Sequence, residues 1–102
     1  MDYSGYTALI AAAGNGHTEA VGALLGAGAA VDAKNIDGYT ALIKAADNGH
    51  TEAIRALLEA GAAVEAKDKD GNTALHYAEQ WPGEYHRREM AALLRAAGGA
   101  TR

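Results

Sequence analysis

A block of about 33 residues recurs along this chain, and that period constrains the fold more than any other feature. Gly5-Tyr6-Thr7-Ala8-Leu9-Ile10 returns as Gly38-Tyr39-Thr40-Ala41-Leu42-Ile43 and again as Gly71-Asn72-Thr73-Ala74-Leu75-His76, 33 residues apart each time. Asn15-Gly16-His17-Thr18-Glu19-Ala20 returns as Asn48-Gly49-His50-Thr51-Glu52-Ala53. Between the first two copies about 24 of the 33 positions are identical, which chance cannot produce. A fixed period of this length marks stacked units that each contact only their neighbours.

Each unit reads as a turn and two short helices. Ser4-Gly5, Asp37-Gly38 and Asp70-Gly71 are tight-turn dipeptides. Thr7, Thr40 and Thr73 follow at the place of a helix N-cap. A first helix then carries Leu42, Ala45 and Ala46 and stops near Asn48-Gly49, since Gly readily adopts the left-handed conformation that ends helices. A second helix carries Ile54, Leu57 and Leu58 on one apolar face and ends at Gly61. Residues Ala62 to Lys67 are an extended lead into the next turn. Both helices fall short of the ~12 residues at which an isolated helix becomes marginal in water, so neighbours must hold them.

The period, the turn, the Thr-x-Leu tetrapeptides, the Gly-His between helices and the Leu-Leu-x-x-Gly-Ala endings resemble the ankyrin repeat along essentially the whole chain. The resemblance implies an all-α repeat protein: an ankyrin-type solenoid of helix-turn-helix repeats joined by short β-hairpin-like turns. The expected units are 2–34, 35–67 and an irregular C-terminal capping repeat over 68–102. Three departures from the family pattern leave that expectation intact. Ala8, Ala41 and Ala74 replace its Pro, Ile10 and Ile43 replace its His where His76 keeps it, and Ala33 and Ala66 replace its Asn.

The third repeat is irregular. Leu93-Leu94 follows Leu57-Leu58 by 36 residues, so about three residues are inserted, around Glu79-Gln80-Trp81-Pro82-Gly83-Glu84-Tyr85. Pro82 forbids a continuing helix, so the insertion is expected to lengthen the loop between the two helices. It suits a terminal cap and equally a ligand loop anchored by Trp81 and Tyr85; the two are compatible.

Little in the chain points to chemistry. There is no cysteine, which removes disulfides, thiolate metal sites and thiol nucleophiles. The four histidines are spread along the repeats with no His-x3-His pair, so no metal site is expected. The resemblance implies instead that His17, His50 and His86 are structural and bond the backbone of the next repeat. Asp68 and Asp70 around Lys69, and Glu84 and Glu89 beside Arg87 and Arg88, read as solvated surface charge. So does the basic run His86-Arg87-Arg88. No phosphate loop or nucleophile elbow is present. The chain is therefore expected to be no enzyme and to need no cofactor. A formal net charge of −4 argues against nucleic acid as partner. No stretch is long and apolar enough for a membrane span, and no signal peptide is evident, so a cytoplasmic location is expected.

What remains is binding. The resemblance implies a protein partner lying along a concave surface of hairpin tips and exposed first-helix positions. In this chain those are Tyr3, Tyr6, Ile36, Tyr39, Lys44, Asp47 and Tyr77, with Trp81 added from the insertion. Tyr offers large contact area at low entropic cost, although Tyr6 and Tyr39 equally suit the covering of a neighbouring repeat. The expected function is a non-catalytic protein-interaction scaffold. The alternative is an engineered or minimal ankyrin repeat protein with a structural role and no natural partner. Ala11, Ala12, Ala13 and Ala20 give the first repeat few charges, so weak self-association through that end is also expected.

Overall fold

The computed structural model describes the backbone of residues 4–99 and the side chains of residues 8–98. Within them the chain forms six helices and no strand: α1 (Ser4–Gly14), α2 (Thr18–Gly26), α3 (Ala41–Asp47), α4 (Thr51–Glu59), α5 (Ala74–Glu79) and α6 (Glu84–Gly99).

Local chemistry accounts for most of the boundaries. The Thr40 hydroxyl accepts from the Ile43 N–H at 3.2 Å and Thr73 from the His76 N–H at 3.2 Å, each capping the helix that follows. Ahead of each Thr stands a pinned turn. The Asn35 carboxamide oxygen accepts from the N–H groups of Asp37 (2.9 Å) and Tyr39 (3.0 Å). The Asp68 carboxylate does the same for Asp70 (2.9 Å) and Asn72 (3.0 Å). A side chain that closes a turn on its own following backbone sets the hairpin tip before any tertiary contact forms. At the other end of α3, Gly49 takes φ +76° and the His50 N–H reaches back to the Ala45 carbonyl at 2.9 Å. Gly61, at φ +87°, closes α4 the same way, with the Ala62 N–H on the Leu57 carbonyl at 3.0 Å. Both are Schellman endings, which satisfy carbonyls that the helix itself leaves open.

The helices stack in two layers. α1, α3 and α5 lie side by side in one, α2, α4 and α6 in the other, and the first layer is the more closely packed. Small side chains permit that closeness. Ala12, Ala13, Ala41, Ala45, Ala46, Ala74 and Ala78 are all buried in it. The abundance of Ala thus belongs to the helix spacing. Leu9, Leu42, Ile43, Val21, Ile54, Leu57 and Met90 fill the space between the layers. A stack with one layer more tightly spaced than the other bends toward the tight layer, so the α1–α3–α5 side is the concave one.

Hydrogen bonds tie the second unit to the first. Asn48 Nδ2 donates to the Gly14 carbonyl (2.7 Å), the Ala63 N–H to the Asp32 carboxylate (2.8 Å), and Lys34 Nζ to the Lys67 carbonyl (2.8 Å). The hairpins also meet closely: a Cβ on Gly38 would stand 2.8 Å from the Lys69 nitrogen.

Several expectations need correction. Ser4-Gly5 is helical and Thr7 lies inside α1, not at its cap. In the later units the turn is held by Asn35 and Asp68; the matching position, Asp2, is outside the described residues. The insertion near Trp81 mostly lengthens a helix. The linker from α5 to α6 is 80–83, one residue longer than the 48–50 linker, and the rest adds an N-terminal turn to α6. At its other end α6 has Ala97 where α4 is followed by Gly61, so nothing stops it and it reaches 16 residues. Ala12 and Ala13 are buried in the stack, which leaves only Ala11 and Ala20 of the expected self-association residues exposed.

Candidate functional site

On the concave side the fold gathers three of the expected residues into one cluster. Tyr39 follows the Asn35 turn, Lys44 sits a turn into α3, and Tyr77 occupies the matching place on α5. The Lys44 ammonium lies 4.8 Å from the centre of the Tyr39 ring, within cation–π range. The Tyr39 and Tyr77 rings are tilted at 48° with centroids 6.2 Å apart. The stem of Lys44 also rests on Gly14, where an added Cβ would come within 2.8 Å of its Cγ. All three side chains are half-buried, so each is held in place while part of it faces solvent.

Tyr77 is anchored further. Its hydroxyl donates to Asp68 Oδ2. That bond, then burial, raises the phenol well above its ordinary range. The same bond, followed by the Asn72 N–H, lowers the Asp68 carboxyl below its ordinary 3.8. Asp68 is 8 % exposed, so it is a buried anchor of hairpin and helix and not the solvated charge expected of it. Sequence reading stressed the Asp-Gly dipeptides and missed this role. The available signal was an Asn or Asp three residues before each turn Gly, at Asn35 and Asp68.

The other expected residues lie elsewhere. Ile36 stands at a hairpin tip, 86 % exposed. Asp47 is half-buried at the end of α3. Tyr3 is outside the described residues, and Tyr6 lies on α1 with its side chain outside them. Trp81 is apart from the tyrosine cluster: its indole covers Gly49, where a Cβ would come within 2.4 Å of the ring, and stacks obliquely on His86 at 6.1 Å. The exposed aromatic of the insertion is Tyr85, at 78 %.

The basic run is also more structural than expected. His86 Nε2 meets the Gly49 carbonyl at 2.5 Å and Arg87 Nη1 donates to the Trp81 carbonyl at 2.9 Å, while Arg88 forms an exposed pair with Glu84. The histidine contact runs to the preceding repeat, not the next. His50 follows the same direction, its ring lying against Gly16. His86 and Trp81 thus seal the joint with the preceding helix pair, while Arg87 and Arg88 bond within the third unit. Among the described residues no three His, Asp or Glu side chains converge on a metal-binding position, and no helix is long and apolar enough to cross a membrane.

Comparison with curated proteins gives no match. The family described as ankyrin repeats matches residues 9–100 in three copies. That match runs through the same three stacked helix pairs that build the concave patch, and the chain belongs to the ankyrin repeat family.

Proposed function

We propose that this chain is a non-catalytic scaffold that holds a protein partner against its concave side. Ankyrin repeats are generally protein-interaction modules. The observation that carries the reading here is the Tyr39–Lys44–Tyr77 cluster. Its side chains are ordered by cation–π, ring and Asp68 contacts before any partner arrives, so little rotamer entropy is lost on binding. The partner's contact surface combines an apolar group for Tyr39, Tyr77 and Ile36 with an acceptor for Lys44. The proposed setting is the cytoplasm, in keeping with a chain that has no cysteine. A second, weaker contact is self-association through the α1–α2 helix pair.

Capture from a cell lysate identifies the partner, and calorimetric titration measures it. Tyr39→Ala weakens binding by about 2 kcal/mol, more than tenfold, without change in the circular-dichroism spectrum. Glu59→Ala, on an exposed position of α4, changes it little. Binding that survives Tyr39→Ala with Tyr6→Ala but is lost in Tyr85→Ala moves the site to the start of α6.

A further inference from the structure

We propose that Asn48–Gly49 is a site of spontaneous deamidation, and that the reaction there unties the second helix pair from the first. Asn15 and Asn48 are the asparagines that precede a glycine. Glycine has no Cβ to shield its nitrogen or to restrict its backbone, so that nitrogen reaches a preceding side chain more easily than any other. It gives its proton to hydroxide and attacks the asparagine Cγ. A new C–N bond closes a five-membered succinimide, and the carboxamide nitrogen leaves as ammonia, taking back a proton from water. Water then opens the ring at either carbonyl, giving aspartate or isoaspartate. In sum one water is taken up and one ammonia is released, with no other reactant. This chemistry is independent of any partner on the concave side.

Asn48 is exposed, so water and hydroxide reach its side chain. Its backbone sits at ψ 4°, however, which turns the Gly49 nitrogen away from that side chain. Ring closure needs a large rotation about this bond into another region of backbone space. The rotation breaks the Gly49 N–H bond to the Ala46 carbonyl (3.2 Å), draws Gly49 from beneath the Trp81 ring and pulls Asn48 Nδ2 off the Gly14 carbonyl (2.7 Å). The reactive conformation is therefore reached only when the end of α3 opens from its neighbours. Once formed, the product cannot restore the joint. A carboxylate oxygen in place of Nδ2 faces the Gly14 carbonyl as a second acceptor, with no proton to share, and puts negative charge at the C-terminal end of α3. Isoaspartate also lengthens the main chain within the turn that ends the helix. The stem of Lys44 rests on the same Gly14, so the concave cluster loosens with the joint. Asn15 supplies the comparison. It has the same dipeptide at the equivalent position, but its Nδ2 donates to the Ala11 carbonyl of its own helix (2.9 Å), so deamidation there removes no bond between units.

Ageing of the full chain at physiological temperature and mildly alkaline pH tests this. Peptide mass spectrometry reads the conversion of each asparagine, and urea unfolding followed by circular dichroism reads stability. In the folded chain Asn48 converts at least about tenfold more slowly than in the urea-unfolded chain, and the urea midpoint falls as the converted fraction grows. Asn48→Gln keeps an amide donor but would have to close a six-membered ring, a slow reaction, so it ages without that fall; Asn15→Gln still shows it. Asn48→Asp, which copies one product, lowers the midpoint of the fresh chain more than Asn15→Asp does. Conversion of Asn48 as fast in the folded as in the unfolded chain, or none in the folded chain while the unfolded chain converts, overturns the gated site. Asn48→Asp as stable as Asn15→Asp, or an ageing loss that persists in Asn48→Gln, overturns its hold on the joint.

Discussion

Gly22→Ala should make this protein more stable, and the structure supplies both the size of the effect and an internal control. Gly22 lies mid-way along α2 (Thr18–Gly26), outside the left-handed region, and a Cβ built on it meets no atom within 4 Å. Alanine therefore adds no clash and no buried area. What changes is the backbone: glycine loses more conformational freedom on entering a helix, which costs about 0.8–1.0 kcal/mol against alanine. For a domain of this size a gain of about 1 kcal/mol raises Tm by about 4–8 °C. Gly28 provides the control. It too has open space where its Cβ would be, but its φ is +95°. Alanine there is forced into the left-handed region and should destabilise by about 1–2 kcal/mol. Both substitutions add the same methyl to open space, so a general hydrophobic effect would move both the same way. Thermal and urea unfolding followed by circular dichroism at low concentration reads the two shifts. If Gly22→Ala leaves Tm unchanged or lower, or if the two variants shift in the same direction, the backbone reasoning fails.

Gly49→Ala should destabilise by about 2 kcal/mol or more, because a Cβ there combines φ +76° with a 2.4 Å approach to the Trp81 indole; an unchanged urea midpoint would refute the Trp81 packing. Thr51→Val should stabilise by about 1 kcal/mol, since the Thr51 hydroxyl is buried without a hydrogen-bond partner, and chemical denaturation that finds a loss would show that the hydroxyl is satisfied. The Asp68–Tyr77 bond should make stability depend on pH at both extremes. Asp68 has a lowered pKa in the folded chain, so its contribution is present above pH 3.8 and lost as pH falls below it. Tyr77 has a raised one, so its contribution is present below pH 10.0 and lost as pH climbs well above it. Tyr77→Phe should accordingly lower the urea midpoint between those limits and approach the parent chain outside them; a gap constant with pH would refute the link.

Much of this fold is written in signals that act within a few residues. The period places three helix pairs, Thr40 and Thr73 start helices, and Gly49 and Gly61 end them; backbone preferences of that kind need no tertiary partner, and they are legible one residue at a time. The places where sequence reading failed are those governed by contacts between units. Asp68 looks like any turn carboxylate until α5 brings the Tyr77 hydroxyl onto it. Trp81 looks like an exposed anchor, but the bare backbone of Gly49 in the preceding unit offers a seat for its ring. Ser4-Gly5 carries the same turn signal as Asp37-Gly38, yet it is helical, so a turn dipeptide does not by itself stop a helix. The same division runs through the candidate surface. That Lys44 and Tyr77 stand at equivalent positions 33 residues apart, with Tyr39 just ahead of Lys44, is a property of the sequence. That they touch follows from the spacing of the α1–α3–α5 layer, which its alanines set only once the helices have stacked.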